Sequence, residues 1–406
     1  MIRRVLHIAL SFLPVVCFGQ DEFVVNKGTE IRINPGCQVI FAEGGMQNQS
    51  GEFSNAGEVV VEGNLLNDGT LSGGATSGTF RILNDVENNG LMLPGQSLFE
   101  LYGDAQFLRG SQQLNFHDLT LIGTGVKFMQ QNISTAGTLN LTDRELRAAN
   151  NTVFHTNTVA NSVFAIHNEG FVSADEGGGL SRETTGTGTY FFPLGSTINN
   201  FKIRPITLEP RGTGNTYKAR YAPGPTPNST QRGAELYYVN PIFYHHVERT
   251  NGTSGAALTV FYNDIEDGFF ETLAHLESTI WRDNTGTLES NTLGAAPELK
   301  SFRTPDYDFI SPEVALAAFA TELFVPNVFS PNEDGRNDVF KPRGTEPYGY
   351  ELRIYDRWGN LVFSSDVIDN GWDGTFNGKL MNSAVFVYYI LSAGEVIDKG
   401  NVTLLR

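Results

Sequence analysis

Apolar residues along this chain come in short runs rather than at helical spacing. From residue 21 to about 165 the runs include Val59-Val60-Val61, Phe80-Arg81-Ile82-Leu83, Leu119-Thr120-Leu121-Ile122 and Thr138-Leu139-Asn140-Leu141. Asn-x-Gly punctuates them at Asn55-Ala56-Gly57, Asn67-Asp68-Gly69 and Asn88-Asn89-Gly90. Asn and Gly tolerate the left-handed backbone of sharp turns, so the pattern predicts short strands joined by tight corners. Asn67 follows Asn55 by twelve residues, and Asn89 follows Asn67 by twenty-two. A β-solenoid rung takes about twenty residues, some of them marked at half-rungs. Residues 20–165 are therefore predicted to form a parallel β-helix-like solenoid. Asn55, Asn67 and Asn89 would lie at its corners, with the intervening Val, Leu, Ile and Phe pointing inward. A meander of hairpins is the alternative.

The texture changes over residues 166–323. Prolines become frequent and aromatics cluster, as in Tyr190-Phe191-Phe192-Pro193-Leu194-Gly195, Tyr237-Tyr238 and Phe243-Tyr244. Alternation is clear in Phe201–Leu208 and Ala257–Phe261, the period of half-buried strands. The stretch Ala222-Pro223-Gly224-Pro225-Thr226-Pro227-Asn228 reads as a stiff loop. An aromatic-rich strand, then Pro-x-Gly, then a second strand resembles a β-sandwich-like module of large Bacteroidetes surface proteins.

Composition supports an all-β reading. Only 18% of the 406 residues are charged, against a norm of about 25%. Gly, Asn, Thr and Ser fill the difference, and they favour turns and strands. The net charge of −17 opposes nucleic-acid binding, which needs a basic footprint.

Residues 1–19 read as a cleaved signal peptide: Arg3-Arg4, then an apolar run from Val5 to Phe18, then the small Gly19. Cleavage before Gln20 removes Arg3 and Arg4, which takes the charge from −17 to −19. It also leaves Cys37 without a disulfide partner, so a small buried hydrophobe is its expected role.

Residues 324–406 have their own punctuation. Val325-Pro326-Asn327-Val328-Phe329-Ser330-Pro331-Asn332-Glu333-Asp334-Gly335-Arg336-Asn337-Asp338 opens the unit. Leu352-Arg353-Ile354-Tyr355-Asp356-Arg357-Trp358-Gly359-Asn360 follows, then Trp372-Asp373-Gly374, and a close that holds Gly400 and Arg406. Leu352 and Ile354 should face one side of a strand, Arg353 and Tyr355 the other, and Asp356–Asn360 should turn. The apolar run Phe386–Leu391 should be central in a small Ig-like sandwich of about seven strands. Trp358 and Trp372 are both expected to be shielded.

These ordered motifs resemble the gliding-motility-associated C-terminal domain, the type B sorting domain of the type IX secretion system. The resemblance implies that Pro326, Asn327, Phe329, Pro331, Asn332, Asp334, Gly335, Asn337, Asp338, Tyr355, Arg357, Trp358, Gly359, Trp372, Asp373, Gly374, Gly400 and Arg406 are motif positions. It implies as partners the secretion machinery and an outer-membrane anchor, and as location the cell surface or medium.

Candidate chemistry is sparse. Asn332, Asp334, Asn337 and Asp338 surround Gly335 much as calcium-loop oxygens do, with an Asx-rich turn as the alternative. The distal acid of an EF-hand would fall on Arg343, so this is no EF-hand. His245 and His246 are adjacent and would point to opposite faces of a strand, while His117, His155, His167 and His275 are isolated. Asp264, Glu266 and Asp267, like Asp306 and Asp308, read as solvated loops, and Trp281 as core. The sequence lacks a nucleophile elbow and a P-loop. Beyond possible calcium, no cofactor is implied, and no catalytic residue is assigned. The expected function is structural or adhesive, with contact to surface glycans or other cells along one uncharged solenoid face. Alternatives are a polysaccharide-acting enzyme or carbohydrate-binding protein, and a part of the gliding or surface-filament machinery.

Overall fold

The computed structural model describes residues 5–8, 15–17, 23–74, 77–166, 169–198, 201–289, 299–320, 323–344, 346–347, 349–392 and 394–406. The chain is all-β, with about 2% helix and 54% strand. It divides into two compact units, residues 1–318 and 319–406.

The first unit opens as a three-faced parallel solenoid of about seven turns. One rung runs from Glu30–Ile33 on the first face to Gln38–Phe41 on the second and Gly45–Asn48 on the third. The next rung repeats this with Glu52–Asn55, Glu58–Val61 and Asn64–Asn67, each strand pairing in parallel with the one before it. Parallel ladders persist through Thr152–His155, so the hairpin meander does not occur here. The backbone segments Val5–Ile8 and Val15–Cys17 pair in parallel onto Glu30–Ile33 and Gln38–Phe41. The remainder of the predicted signal peptide lies outside the described residues, as does His167.

Alternation decides which side chains go inward. In Glu58–Val61, Val59 and Val61 are fully buried while Glu58 and Val60 are half-exposed. Inward positions stack from rung to rung. Phe53, Phe80, Phe99 and Phe116 form a continuous column with ring centroids 6.4, 4.5 and 5.1 Å apart. Such contacts add to the area term that drives burial.

The Asn-x-Gly motifs have a different basis from the left-handed turns expected. Gly57, Gly69 and Gly90 are absent from the positive-φ residues. A Cβ on each would instead lie 2.3, 2.5 and 2.1 Å from the carbonyl oxygens of Cys37, Gly51 and Gly69 in the rung below. Glycine is required by close stacking.

The asparagines are internal. Asn26, Asn48, Asn67 and Asn88 form a buried ladder, each Nδ2 donating to the next Oδ1 at 2.9, 3.0 and 2.7 Å. The corner residue is thus Asn88, and Asn89 lies half-exposed beside it, a correction to the predicted position. Asn55 occupies another corner, at the end of a first-face strand, where it donates to Thr79 O at 2.9 Å. The twelve-residue spacing therefore measures corner to corner.

The middle module continues the same sheet. Gly179–Thr184 pairs in parallel with the last first-face strand and antiparallel with Asn215–Pro223. From there the sheet runs through Phe243–Asn251, Glu313–Phe319 and Thr272–Glu277. A second, five-stranded antiparallel sheet is built around Ile206–Pro210 and Ala256–Asn263. Trp281 is fully buried and donates Nε1–H to Pro227 O at 2.7 Å, as a core residue does.

The second unit has a five-stranded sheet in which Ala384–Ser392 lies between Glu351–Tyr355 and Glu395–Leu404. Val328–Phe329 adds to one edge in parallel and Leu361–Ser365 to the other in antiparallel fashion. Thr375–Phe376 and Lys379–Leu380 form a separate hairpin. Among the described residues, no helix in either unit is long and apolar enough to cross a membrane.

Candidate functional site

The C-terminal motifs divide into buried anchors and exposed loops. Trp372 is the central anchor: 1% exposed, edge-on to Phe386 at 4.6 Å and tilted against Phe329 at 5.3 Å. Its backbone bridges Phe340 in both directions at 2.8 Å, and Nε1–H donates to Thr375 O. Asp373 closes the following turn by accepting from the Thr375 amide and hydroxyl. Gly374 takes φ +78°, and its carbonyl accepts from Arg406. Gly400 lies opposite Tyr388, whose hydroxyl would be 2.6 Å from any Cβ there. Asn327 O and Phe329 O accept from Thr403 and Leu405, tying the opening motif to the last strand.

The opening loop between half-buried Pro326 and Pro331 and the strands beyond is organised by Asp338. Its carboxylate accepts from the amides of Asn332, Glu333 and Gly335 at 3.0, 2.7 and 2.8 Å. Asp334 accepts from Arg336 N and the Asn332 side chain, and Asn337 has φ +52°. This is the geometry of an Asx-rich turn.

The other motif, Tyr355–Asn360, corrects an expectation. Leu352 and Ile354 point into the core, with Arg353 and Tyr355 outward, as the alternation implies. Trp358, however, is 73% exposed at the tip of the hairpin. Asp356 explains this: its carboxylate accepts from the Trp358 and Asn360 amides and the Asn360 side chain, each at 2.9 Å. Gly359 closes the turn at φ +81°, which places residue 358 in the hairpin turn rather than in a strand. These bonds, led by that from the Asn360 side chain, hold the Asp356 carboxyl below its ordinary range.

Two buried polar clusters in the first unit were not legible as such. In one, His155 lies between Thr135 Oγ1 and Ser162 Oγ, both at 2.7 Å. Burial and the nearby Arg182 charge push its pKa down to about 3. Arg182 is fully buried, donates to the carbonyls of Val159, Ala160 and Phe191, and packs its guanidinium over Tyr190. With His155 and Ser162 at 1% and 2% exposure, this pair resembles a catalytic dyad in distance but is closed to substrate.

The other cluster overturns the solvated-loop reading of Asp267. Its side chain is fully shielded and accepts from Lys202 Nζ at 2.6 Å and from the Arg204 guanidinium. Burial alone would raise its pKa, but these donors lower it. Glu266 is half exposed and accepts at 2.7 Å from Arg204 Nη2, which also donates to Asp267, while Nη1 donates to Ile203 O. Asp264 faces Lys300; Asp306 lies not in a loop but in the strand Leu299–Tyr307, exposed and paired with Arg211 at 3.4 Å, and Asp308 is exposed just beyond that strand. His245 beneath the cluster is buried against Arg204 O, while His246 faces Glu313 on the other side of the strand. A cavity of about 210 Å³ beside it is lined by Phe201, Lys202, Arg204, Asn263 and Glu266.

On the solenoid exterior, carboxylates are interleaved with arginines: Arg81 lies between Glu58 and Glu100, and Arg109 between Asp85 and Glu87. The first face begins with Glu30, Arg32 and Glu52 and is uncharged only beyond them, which narrows the predicted uncharged face. Its later outward residues are Ser54, Ser72 and Leu93 in one column and Thr70 and Leu91 in the next. Asn115, Ser134 and Phe154 follow in register on later rungs.

No curated protein and no solved structure matches the chain. Residues 323–404, the unit organised around Trp372, match the CHU_C Type IX secretion signal domain, so the chain carries a C-terminal sorting domain, engages the type IX secretion machinery and is exported to the cell surface or extracellular space.

Proposed function

We propose that the first unit is a structural or adhesive surface element without catalytic activity, delivered as the passenger of the sorting domain after removal of a signal peptide. The observation that carries this reading is the repeated outward row Ser54, Ser72, Leu93 and Thr70, Leu91, where Leu91 and Leu93 are 53% and 47% exposed. Side chains repeated in register on a rigid sheet offer many equivalent weak contacts, and linked weak contacts multiply into avidity. Surface glycans and neighbouring cells are the partners this suits. The acid–arginine groups of the exterior support the same reading, because Glu58, Asp85, Glu87 and Glu100 are each engaged by an arginine. The test is retention of the purified mature protein on immobilised cell-surface polysaccharide. Replacing Leu91 and Leu93 with lysine should reduce retention at least tenfold with an unchanged melting temperature. Release of new reducing ends from the polysaccharide would instead establish an enzyme.

A further inference from the structure

Trp358 is more exposed than any other large apolar side chain among the described residues of the second unit. Nothing about its backbone is loose. Asp356 fixes the turn through three hydrogen bonds from Trp358 and Asn360, and the Asp356 and Asn360 backbones bond each other at 3.0 Å. The Arg357 guanidinium lies 4.6 Å over the indole ring, a cation–π contact that favours this orientation. Behind the tip runs an apolar strip in which Tyr355 lies opposite both Leu361 and Val387, with Leu361 44% exposed.

We propose that this tip is the anchor by which the type IX machinery grips the sorting domain, with Trp358 entering an apolar pocket whose rim is acidic. The proposal rests on the export reading above and names the residues of that contact. A rigid, solvent-facing tryptophan with an arginine beside it is the side-chain pair most enriched at binding hot spots. Rigidity matters because a pre-ordered anchor loses little side-chain freedom on docking. The rim is assigned as acidic because Arg357 forms no ion pair among the described residues, so its charge is available to a partner. The domain itself gains nothing from placing an indole in water, whereas Trp372, the same residue type, is spent on the core.

The test compares full-length variants in the native host by the ratio of exported to periplasmic protein. Trp358→Ala should lower that ratio at least tenfold, Trp358→Phe should keep most of it, and Arg357→Glu should lower it while Arg357→Lys does not. Melting of each purified variant should match the parent. Normal export of both Trp358→Ala and Arg357→Glu would overturn the anchor. If Trp358→Ala melts lower, Arg357→Glu decides alone, since it leaves the indole in place. A chain ending at Ala318 serves as the reference. If that truncated chain is exported normally, the export reading fails; if only the point variants are exported normally, the anchor fails and the export reading stands.

Discussion

The solenoid and the sorting domain solve the same problem, burying apolar side chains of short strands, by opposite means. The solenoid distributes its core along an axis, so each rung contacts chiefly its neighbours and no single residue is central. Phe53, Phe80, Phe99 and Phe116 do the same job in successive rungs. The sorting domain has one small core in which Phe329, Phe340 and Phe386 converge on or beside Trp372. Repetition thus makes a surface that can recur for the length of the unit, whereas convergence makes one compact body with a distinct projecting tip.

The largest effect expected from this contrast is at Trp372. Trp372→Ala should destabilise the second unit by about 3–5 kcal/mol, the usual range for a large aromatic in a core. Calorimetry of the full chain should show the transition of residues 319–406 shifted or lost and that of residues 1–318 unmoved. A smaller loss is expected in the solenoid from Asn67→Ala, which removes the bonds to both Asn48 and Asn88. Each buried amide left unpaired costs about 1–3 kcal/mol. Asn89→Ala, one residue beside the corner, should cost less, because its bonds with Asp68, Glu87 and Ser111 lie at the exposed or half-exposed surface, where water can replace them. Equal effects at Asn67 and Asn89 would contradict the ladder.

The two units should also separate by pH. His155 and His245 are held at about 3 and about 4, chiefly by burial, whereas the second unit contains no histidine. An unfolded histidine titrates at about 6.5, so below that the unfolded chain binds protons that the folded one refuses. Stability of the first unit should therefore be full above pH 6.5 and fall as pH drops towards 4, by about 2 kcal/mol per histidine at pH 5. His245→Gln should flatten part of that slope, and melting curves of the full chain at pH 7, 6 and 5 would show it. The smallest stability effect is expected at Trp358→Ala, within about 0.5 kcal/mol because the ring is solvated.

How much was legible follows from what period and parity can carry. The rung length shows in the Asn-x-Gly spacing because the same corner recurs, and parity alone places Lys127 inward with Met129. There Lys127 donates to the carbonyls of Gly103, Asp104 and Thr124, a role its charge had hidden. The choice between Asn88 and Asn89 was open to the same parity argument, since Asn88 shares its face with the buried Val86. Parity could not reveal Asp267, whose partners Lys202 and Arg204 come from a strand more than sixty residues away. Nor could it separate the two tryptophans, because Trp358 stands in a turn, outside the alternation that governs strands. The sorting motifs were legible in order, but their division into core and tip needed three-dimensional placement.

The central claim is that the second unit carries the first across the outer membrane. The direct measurement is the distribution of the chain truncated after Ala318, expressed in the native host and assayed by surface proteolysis and fractionation. The account predicts a folded product retained in the periplasm and protected from external protease. Surface display equal to that of the full chain would contradict it.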